Sequence, residues 1–432
     1  MTATYPWPGD VSDVVAVRRD LHAHPEVGFT EIRTAARVAT VLEAMGLRVR
    51  SGPEVADVTG LAGLPPVPEL DAAVKRALVE GVPAEIVARF SGGATAMVVV
   101  VEGNRPGPAV GLRVDMDALP VVESTDSTHP PQQGGWGSRN PGQMHACGHD
   151  GHVAIALGLA ARLIDRDFPG SLTLLFQPAE EGVRGAAPMI AAGALQGLDC
   201  LLALHLGFGL PSGALALRTS GMVGTTKYRS RLTGVAAHAA NAPERGRNAL
   251  LAAAAATLAL HTLAGSSAPG ARVNVGRLEA GSATNIVAAH AELAFETRAR
   301  TAADLADLDQ RALAVLEGAA TAHGVSVRHE VTGSAVPAHT DDRVAEAVRK
   351  AASRLAGIND LRETALLGAS DDASLMMRAV QEVGGTAGYL LLGSTGPGAH
   401  HAADFDIDEG VLALGVDLLE AVVRQGHLGT QS

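Results

Sequence analysis

Apolar residues recur at three- and four-residue spacing from Val11 to Met45, interrupted at His24-Pro25, so the chain is expected to open as helix with Gly46 as the C-cap. Beyond the Pro-rich stretch GLPPVPEL, an amphipathic run over 71–78 predicts a helical insertion. Apolar runs then predict strands at 96–101 and 109–114, joined by the turn residues EGNRPGP. Residues 122–144 read as a long polar loop rich in Pro, Gly, Gln and Ser. Loops of that length in compact domains are uncommon and often functional. After it the pattern predicts a helix (154–164), a buried strand (171–176), a helix with a Gly-rich start (185–192) and a strand (200–205). Strands alternating with helices imply a largely parallel sheet with helices on both faces.

Near Gly221 the pattern changes. Segment 225–233 alternates like a half-buried strand, 248–264 reads as helix, 272–279 and 289–297 as strands, 303–323 as helix and 325–331 as strand. The order β-α-β-β-α-β matches a ferredoxin-like split βαβ unit. A helix at 344–356 and further strand and helix signals follow, ending in a helix at 409–424. The expected fold class is α/β: a mixed, largely parallel sheet with helices on both faces, interrupted by a smaller inserted α+β domain. No internal repeat is present.

Composition sharpens this picture by exclusion. The 432 residues suit two or three domains, and 47% hydrophobic with 19% charged residues excludes a disordered chain. The net charge of −12, without a basic tract, excludes a nucleic-acid or anionic-membrane binder. Two cysteines are too few for a disulfide framework, and one lies in a His-rich cluster, which suits a reducing cytosol. The opening MTATYPWPGDVSD lacks the charged start and apolar run of a signal peptide. The longest apolar segment, 249–260, is too short to span a bilayer. A cytoplasmic location is expected.

The strongest chemical signal is Met144-His145-Ala146-Cys147-Gly148-His149-Asp150-Gly151-His152, where the polar loop enters a helix. Cys147 and His149 stand two residues apart, so in an extended loop both turn toward one ion, and His152 falls one turn further on. Thiolate and imidazole suit a borderline divalent metal. Taken alone, the segment also reads as a histidine cluster capping a helix. Glu180-Glu181 follows a buried strand directly; there one carboxylate can hold metal while the other takes a proton from water. A bare Glu-Glu pair is otherwise a solvated acidic turn. His205 ends a strand, His400-His401 sits on a Gly-rich loop, and Asp115-Met116-Asp117 brings carboxylates to the same sheet edge. Cys147, His149, Glu181, His205 and His401 exceed the three or four ligands of a single zinc site, so a two-metal centre fits better.

The runs RRDLHAHPEVGFTE, GLRVDMDALP, MHACGHDGH, FQPAEEG and AAHAANAPERGRNAL, with the late loop before FDIDEG, resemble the dinuclear metallo-amidohydrolases, including hippurate and indole-acetyl-amino-acid hydrolases and aminoacylase-like carboxypeptidases. Coverage is close to the whole chain. GRNALLAAAAATLALH, ETRART and the DDASLMMRAVQ…GAHHAADFDIDE ending resemble, within that family, the A-type subunits that hydrolyse p-aminobenzoyl-glutamate. Ala402-Ala403 stands where many relatives carry a Pro, which leaves His400 and His401 as alternatives; the offset to Phe405 favours His401.

The resemblance implies a catalytic domain over 1–218 and 337–432 and a lid and dimerisation domain over 219–336. It implies Cys147, His149, Glu181, His205 and His401 as ligands of two divalent ions, Glu180 as general base, and Asp115 orienting a ligand imidazole from behind. It further implies that His238 reaches a partner's active site and that Asn285 and Arg298 bind substrate; a guanidinium matches a carboxylate's two oxygens, though an exposed solvated arginine is the alternative. The thiolate favours zinc on softness, whereas the resemblance implies manganese, which is the expectation. The implied reaction is cleavage of an N-acyl amino acid, p-aminobenzoyl-glutamate foremost. The alternatives are a general N-acyl-amino-acid hydrolase or dipeptidase, or a non-catalytic partner subunit. Either a homodimer or a heterodimer with a related B-type subunit is expected.

Overall fold

The computed structural model describes Tyr5, Trp7, residues 10–263, Gly265 and residues 268–428. Parts of the opening MTATYPWPGD segment and the last residue of the helix expected over 248–264 lie outside the described residues. The chain divides into two compact units, Met1–Ser220 with Ala338–Leu367 and Asp371–Ser432, and Gly221–Pro337 with Gly368–Ser370.

The first unit is built on an eight-stranded mixed sheet in the order Val49–Ser51, Met97–Glu102, Pro169–Gln177, Arg105–Asp115, Cys200–Leu206, Thr386–Leu392, Ala214–Ala216, Asp360–Arg362. The four central strands, from Pro169–Gln177 to Thr386–Leu392, run parallel, and antiparallel pairs flank them. Each central strand is buried on both faces, as a parallel sheet requires. Leu112, Leu202, Leu204 and Leu390 share one core with the helices Val14–His22, His149–Leu163 and Gly410–Gln425. Gly111 lies on the opposite face, where a Cβ would meet Leu198, Leu201 and Leu175. The expected α/β class is what the molecule has.

Two local readings change. The strands flanking EGNRPGP are not partners, because Pro169–Gln177 lies between them. Gly103 passes close beneath that strand's start, where a Cβ would stand 2.2 Å from the Phe168 carbonyl oxygen. The expected opening helix is two helices, Val14–His22 and Ile32–Ala44. The Asp13 side chain caps the first through Ala16 N–H at 3.0 Å, and Glu26 receives the otherwise orphaned N–H groups of Arg33 and Thr34 at the start of the second. A further short helix, Ala84–Phe90, follows Val67–Val79.

The second unit is a four-stranded antiparallel sheet in the order Ser326–Ala335, Gly224–Thr233, His290–Ala299, Arg272–Ala280, with helices Ala249–Leu263 and Ala302–Ala322 packed on it. This is the ferredoxin-like order the pattern implied. Tyr228 and Leu232 alternate inward on Gly224–Thr233, and the stripe Ala249, Ala252, Ala253, Ala256 and Leu260 lets the helix lie close on the sheet. On their outer faces Arg231, Glu292 and Glu330 form a cross-strand ion ladder. No helix among the described residues is long and apolar enough to cross a membrane.

Candidate metal centre and active site

Parallel register brings the carboxyl ends of the central strands to one edge. Asp115 lies opposite Gln177, and His205 beside Leu391. Open α/β sheets carry their sites at such an edge.

Gly148 adopts φ 90° and turns the loop sharply into the helix His149–Leu163, so His149 is the first helical residue rather than part of an extended loop. Its Nδ1 lies 2.8 Å from the Asp117 carbonyl oxygen, which fixes the proton on Nδ1 and leaves a lone pair on Nε2. That Nε2 is buried and has no hydrogen-bond partner among the described residues; it lies 3.9 Å from Glu180 Oε2 and 3.9 Å from Glu181 Oε1. Cys147, His149 and Glu181 each offer a donor atom, all within 4.8 Å of one another. His205 Nδ1 faces the Leu206 carbonyl at 2.9 Å, and its Nε2 faces Cys147 Sγ at 3.6 Å. His401 stands in the left-handed region at φ 67°, with Nε2 3.3 Å from Glu181 Oε2. His400 instead turns its Nε2 to the Leu206 carbonyl at 3.2 Å and stacks on Phe208.

The donor set fits cations. Burial works against charging His149, yet Asp115 and Cys147 beside it raise its proton affinity well above the ordinary value, so the spot favours positive charge. Burial holds Glu181 up to about 7 and the Cys147 thiol well above its usual range, with neighbouring carboxylates adding to the thiol's shift. Burial, then His152, holds His205 well below the usual imidazole range, which keeps its lone pair available. Buried thiol and carboxyl groups that resist ionisation in the absence of a counter-charge are the ligands a divalent ion converts to anions.

His152, one turn beyond His149, has both nitrogens engaged: Nδ1 lies 2.5 Å from Asp115 Oδ1, and Nε2 accepts the Leu206 N–H at 3.1 Å. It buttresses the site without a free lone pair. Asp115 thus holds His152 while lying 3.6 Å from His149 Nε2.

Glu180 is 7% exposed, in a tight turn between two residues in the left-handed region, Ala179 (φ 54°) and Val183 (φ 52°). Its N–H and that of Glu181 are received by Asp117 Oδ1 and Oδ2, and the Ala179 N–H by Glu31 Oε1. Burial, then Asp371 and Glu181, pushes the Glu180 carboxyl well above its ordinary range. Behind the turn, Asp372 closes both ends of the loop, taking Gln177 Nε2 at 2.7 Å and the N–H groups of Gly185 and Ala186 at 3.0 and 2.9 Å. Arg113 ties Asp372, Asp371 and Asp115 together.

The RRDLHAHPE segment serves as a brace. Arg18 Nε and His22 Nδ1 both bind Asp150 Oδ2, at 2.9 and 2.8 Å, and so anchor the first turn of the helix that carries His149. Asp117, Glu31, Asp372 and Asp150 were given no role from the sequence. All four stand inside runs that carry the family resemblance, and Asp117 also reads as a carboxylate at a strand end.

In the second unit, His238 is exposed on a bridge to Ile286, its Nδ1 accepting the N–H groups of Ala240 and Asn241 at 3.2 Å each. Asn285 is close by, its carbonyl receiving the Ala239 N–H at 3.0 Å. Arg298 lies toward the opposite end of this sheet, eight residues beyond His290 on the same strand, a span of roughly 26 Å at strand rise. Its guanidinium is paired with the Glu296 carboxylate at 2.9 Å. Within one chain the fold brings His238 and Asn285 together but not Arg298.

The model of peptidase family M20/M25/M40 matches residues 111–425. An indole-3-acetyl-aspartic acid hydrolase of Enterobacter agglomerans is 43% identical over 406 residues, covering 93% of each chain. The A-type subunit of the p-aminobenzoyl-glutamate hydrolase of Escherichia coli is 42% identical over 405 residues, again covering 93% of each. Among solved structures, an aminobenzoyl-glutamate utilization protein from Klebsiella pneumoniae superposes with a TM-score of 0.82 at 35% identity over 95% of both chains. With the match running through the strands, the Cys147–His149 turn and the Glu180–Glu181 loop, the chain belongs to peptidase family M20/M25/M40.

Proposed function

We propose that this protein is a cytoplasmic, metal-dependent amidohydrolase that cleaves p-aminobenzoyl-glutamate to p-aminobenzoate and glutamate. The observation that carries the hydrolytic reading is the buried Glu180 carboxyl beside the Cys147, His149 and Glu181 donor atoms. The Escherichia coli and Klebsiella pneumoniae relatives support the substrate.

In this reading Cys147, His149, Glu181, His205 and His401 hold two divalent cations, manganese rather than zinc. Bound there, the ions supply Lewis acidity and bring a water's pKa toward neutrality. Glu180 accepts the proton of the attacking water and returns it to the leaving amide nitrogen, a transfer suited to a carboxyl whose proton affinity burial has raised. Its turn is clamped by Asp117, Glu31 and Asp372, so the carboxylate is positioned before substrate arrives. Asp115 holds the His152 imidazole in orientation beside the ligand His149, whose own ring is fixed by the Asp117 carbonyl.

Residues 1–218 and 337–432 form the catalytic domain and 219–336 the lid and dimerisation domain. His238 of the lid stabilises the developing oxyanion in a partner's site, and Asn285 and Arg298 hold the substrate. Leu251 and Leu258, 50% and 75% exposed one heptad apart on the helix Ala249–Leu263, support association through the lid, as homodimer or with a B-type subunit.

The test is release of p-aminobenzoate and glutamate by purified, manganese-loaded protein, assayed beside hippurate, indole-3-acetyl-aspartate and simple dipeptides. The Enterobacter agglomerans relative favours the second reading, an indole-acetyl-amino-acid hydrolase; faster turnover of that substrate decides for it. No hydrolysis of any of them overturns both.

A further inference from the structure

The turn that carries Glu180 and Glu181 leads into an arginine that the proposed mechanism does not use. Arg184 is half-buried, and its side chain folds back over the turn: a Cβ on Gly182 would stand 2.1 Å from its Nε and 2.7 Å from its Cδ. The guanidinium therefore lies against the residue that directly follows the proposed ligand Glu181.

Unusual backbone positions set it there. Val183, just before it, stands at φ 52° and Phe29 at φ 67°, both in the left-handed region that is costly for residues other than glycine. Gly28 packs on the same turn, where a Cβ would stand 2.8 Å from Ala179 Cα and 3.1 Å from Arg184 Nη2. The buried Phe29 ring backs the guanidinium at 5.3 Å. Strain held beside a candidate site points to a side chain whose placement matters.

The group so placed has donors and charge to spare. Nη1 donates to the Gly63 carbonyl, which is its one hydrogen bond among the described residues; Nε is buried without a partner, and the side chain makes no ion pair there. The nearest acids in the chain face other groups, Glu180 and Glu181 the ring of His149, and Glu181 also that of His401. Pinning Gly63 requires a single N–H and no charge. A fixed guanidinium without an anion of its own is matched by a carboxylate, whose two oxygens take two of its N–H groups. Every N-acyl amino acid carries an α-carboxylate, and Asn285 and Arg298 are already assigned to holding the substrate. The side-chain carboxylate of an acidic amino acid is the group left for a further cation to recognise. Resting on the reading of the protein as an N-acyl-amino-acid hydrolase, we propose that Arg184 binds this side-chain carboxylate and so selects acidic over neutral substrates.

The test is calorimetric titration of manganese-loaded Glu180→Gln protein, which is expected to bind substrate without consuming it. The probes are p-aminobenzoyl-glutamate and its uncharged counterpart of the same shape, p-aminobenzoyl-glutamine. The acid is expected to bind about 10- to 100-fold more tightly, the scale of a hydrogen bond to a charged group. Adding Arg184→Gln is expected to remove that preference by weakening the acid alone, and Arg184→Lys, which keeps the charge, to restore part of it. Equal weakening of both compounds would make Arg184 a structural pin on Gly63, and an unchanged preference would remove it from recognition. Either result, or failure of both compounds to bind, overturns the assignment. Binding of the acid that depends on Arg184, without hydrolysis by the parent protein, strikes the proposed reaction and leaves the carboxylate site standing.

Discussion

Asp117 Oδ1 accepts the main-chain N–H of Glu180 at 2.9 Å, so the proposed general base is held through its backbone by a residue at the end of a neighbouring strand. The other oxygen of Asp117 takes the Glu181 N–H at 3.1 Å, and its carbonyl fixes His149. One residue therefore orients a base and two proposed ligands. Asp117→Asn keeps the shape but turns an NH₂ group against one of the two N–H donors. The expected result is a loss of about 10- to 100-fold in kcat/KM, the range for residues that orient ligands from behind, with the far-UV circular dichroism unchanged. Wild-type kinetics in this variant would show that the clamp does not matter.

Glu180→Gln keeps the size of the side chain and removes its capacity to carry a proton. Turnover is expected to fall about 10²- to 10⁴-fold, the usual contribution of general acid–base catalysis, while metal content by elemental analysis stays at the wild-type value. Retention of most activity would remove Glu180 from the mechanism.

Cys147→Ala separates holding metal from moving protons. Cys147 Sγ faces His205 Nε2 at 3.6 Å, and its donor atom shares a cluster with those of His149 and Glu181. Deleting it is expected to lower bound metal and turnover together, with activity partly restored by excess manganese. A normal complement of two ions in this variant would exclude the thiol as a ligand.

The sequence carried the chemistry of this site better than its support. Cys147 and His149 were legible because two unlike ligand types stand at short spacing before a helix, and Glu180-Glu181 because a buried strand runs straight into two acids. The start of the helix was misplaced to 154 because its first turn is polar: His149, Asp150 and His152 are buried by partners from distant segments, which hydrophobic periodicity does not register. Glu31 on the Ala179 N–H and Asp372 on Gly185 and Ala186 are contacts across 148 and 187 positions. Both stand in runs that carry the family resemblance, but nothing local shows which main-chain groups they reach. His152 shows the converse: its spacing suits a ligand, yet Asp115 and the Leu206 N–H use both nitrogens.

Glu31 makes acid–base behaviour testable apart from turnover. Burial, with the Asp117 carboxylate adding to it, raises its carboxyl to about 8, from about 4.3 in an unfolded chain. The folded protein thus keeps a proton that the unfolded chain releases. This contribution to stability is fully present below about pH 4.3 and is lost as pH rises toward 8. Glu31→Gln resembles the protonated form, with an amide to meet Thr95 and an oxygen for the Ala179 N–H. After chelation, so that proton-linked metal binding does not contribute, the wild-type melting temperature is expected to fall more steeply between about pH 6 and pH 9 than that of the variant. Parallel curves would refute the assignment.

The lid proposal has a test that needs no structure of the assembly. If His238 serves the site of a second protomer, Glu180→Gln and His238→Ala each inactivate the enzyme by removing groups that one active site draws from different chains. In a mixed dimer of the two variants, one site lacks both groups and the other has both intact. Mixing the inactive proteins under conditions that exchange protomers is therefore expected to restore activity, approaching a quarter of the wild-type rate if exchange is random, because about half the dimers are mixed and each carries one intact site. The exposed His238 ring and the exposed Leu251 and Leu258 make such exchange and contact sterically open. Recovery should vanish when both substitutions are placed on the same chain and mixed with either single variant, since no complete site then forms. Failure of the two single variants to complement, with mixed dimers shown by tagged co-purification, would confine His238 to its own protomer or remove it from catalysis.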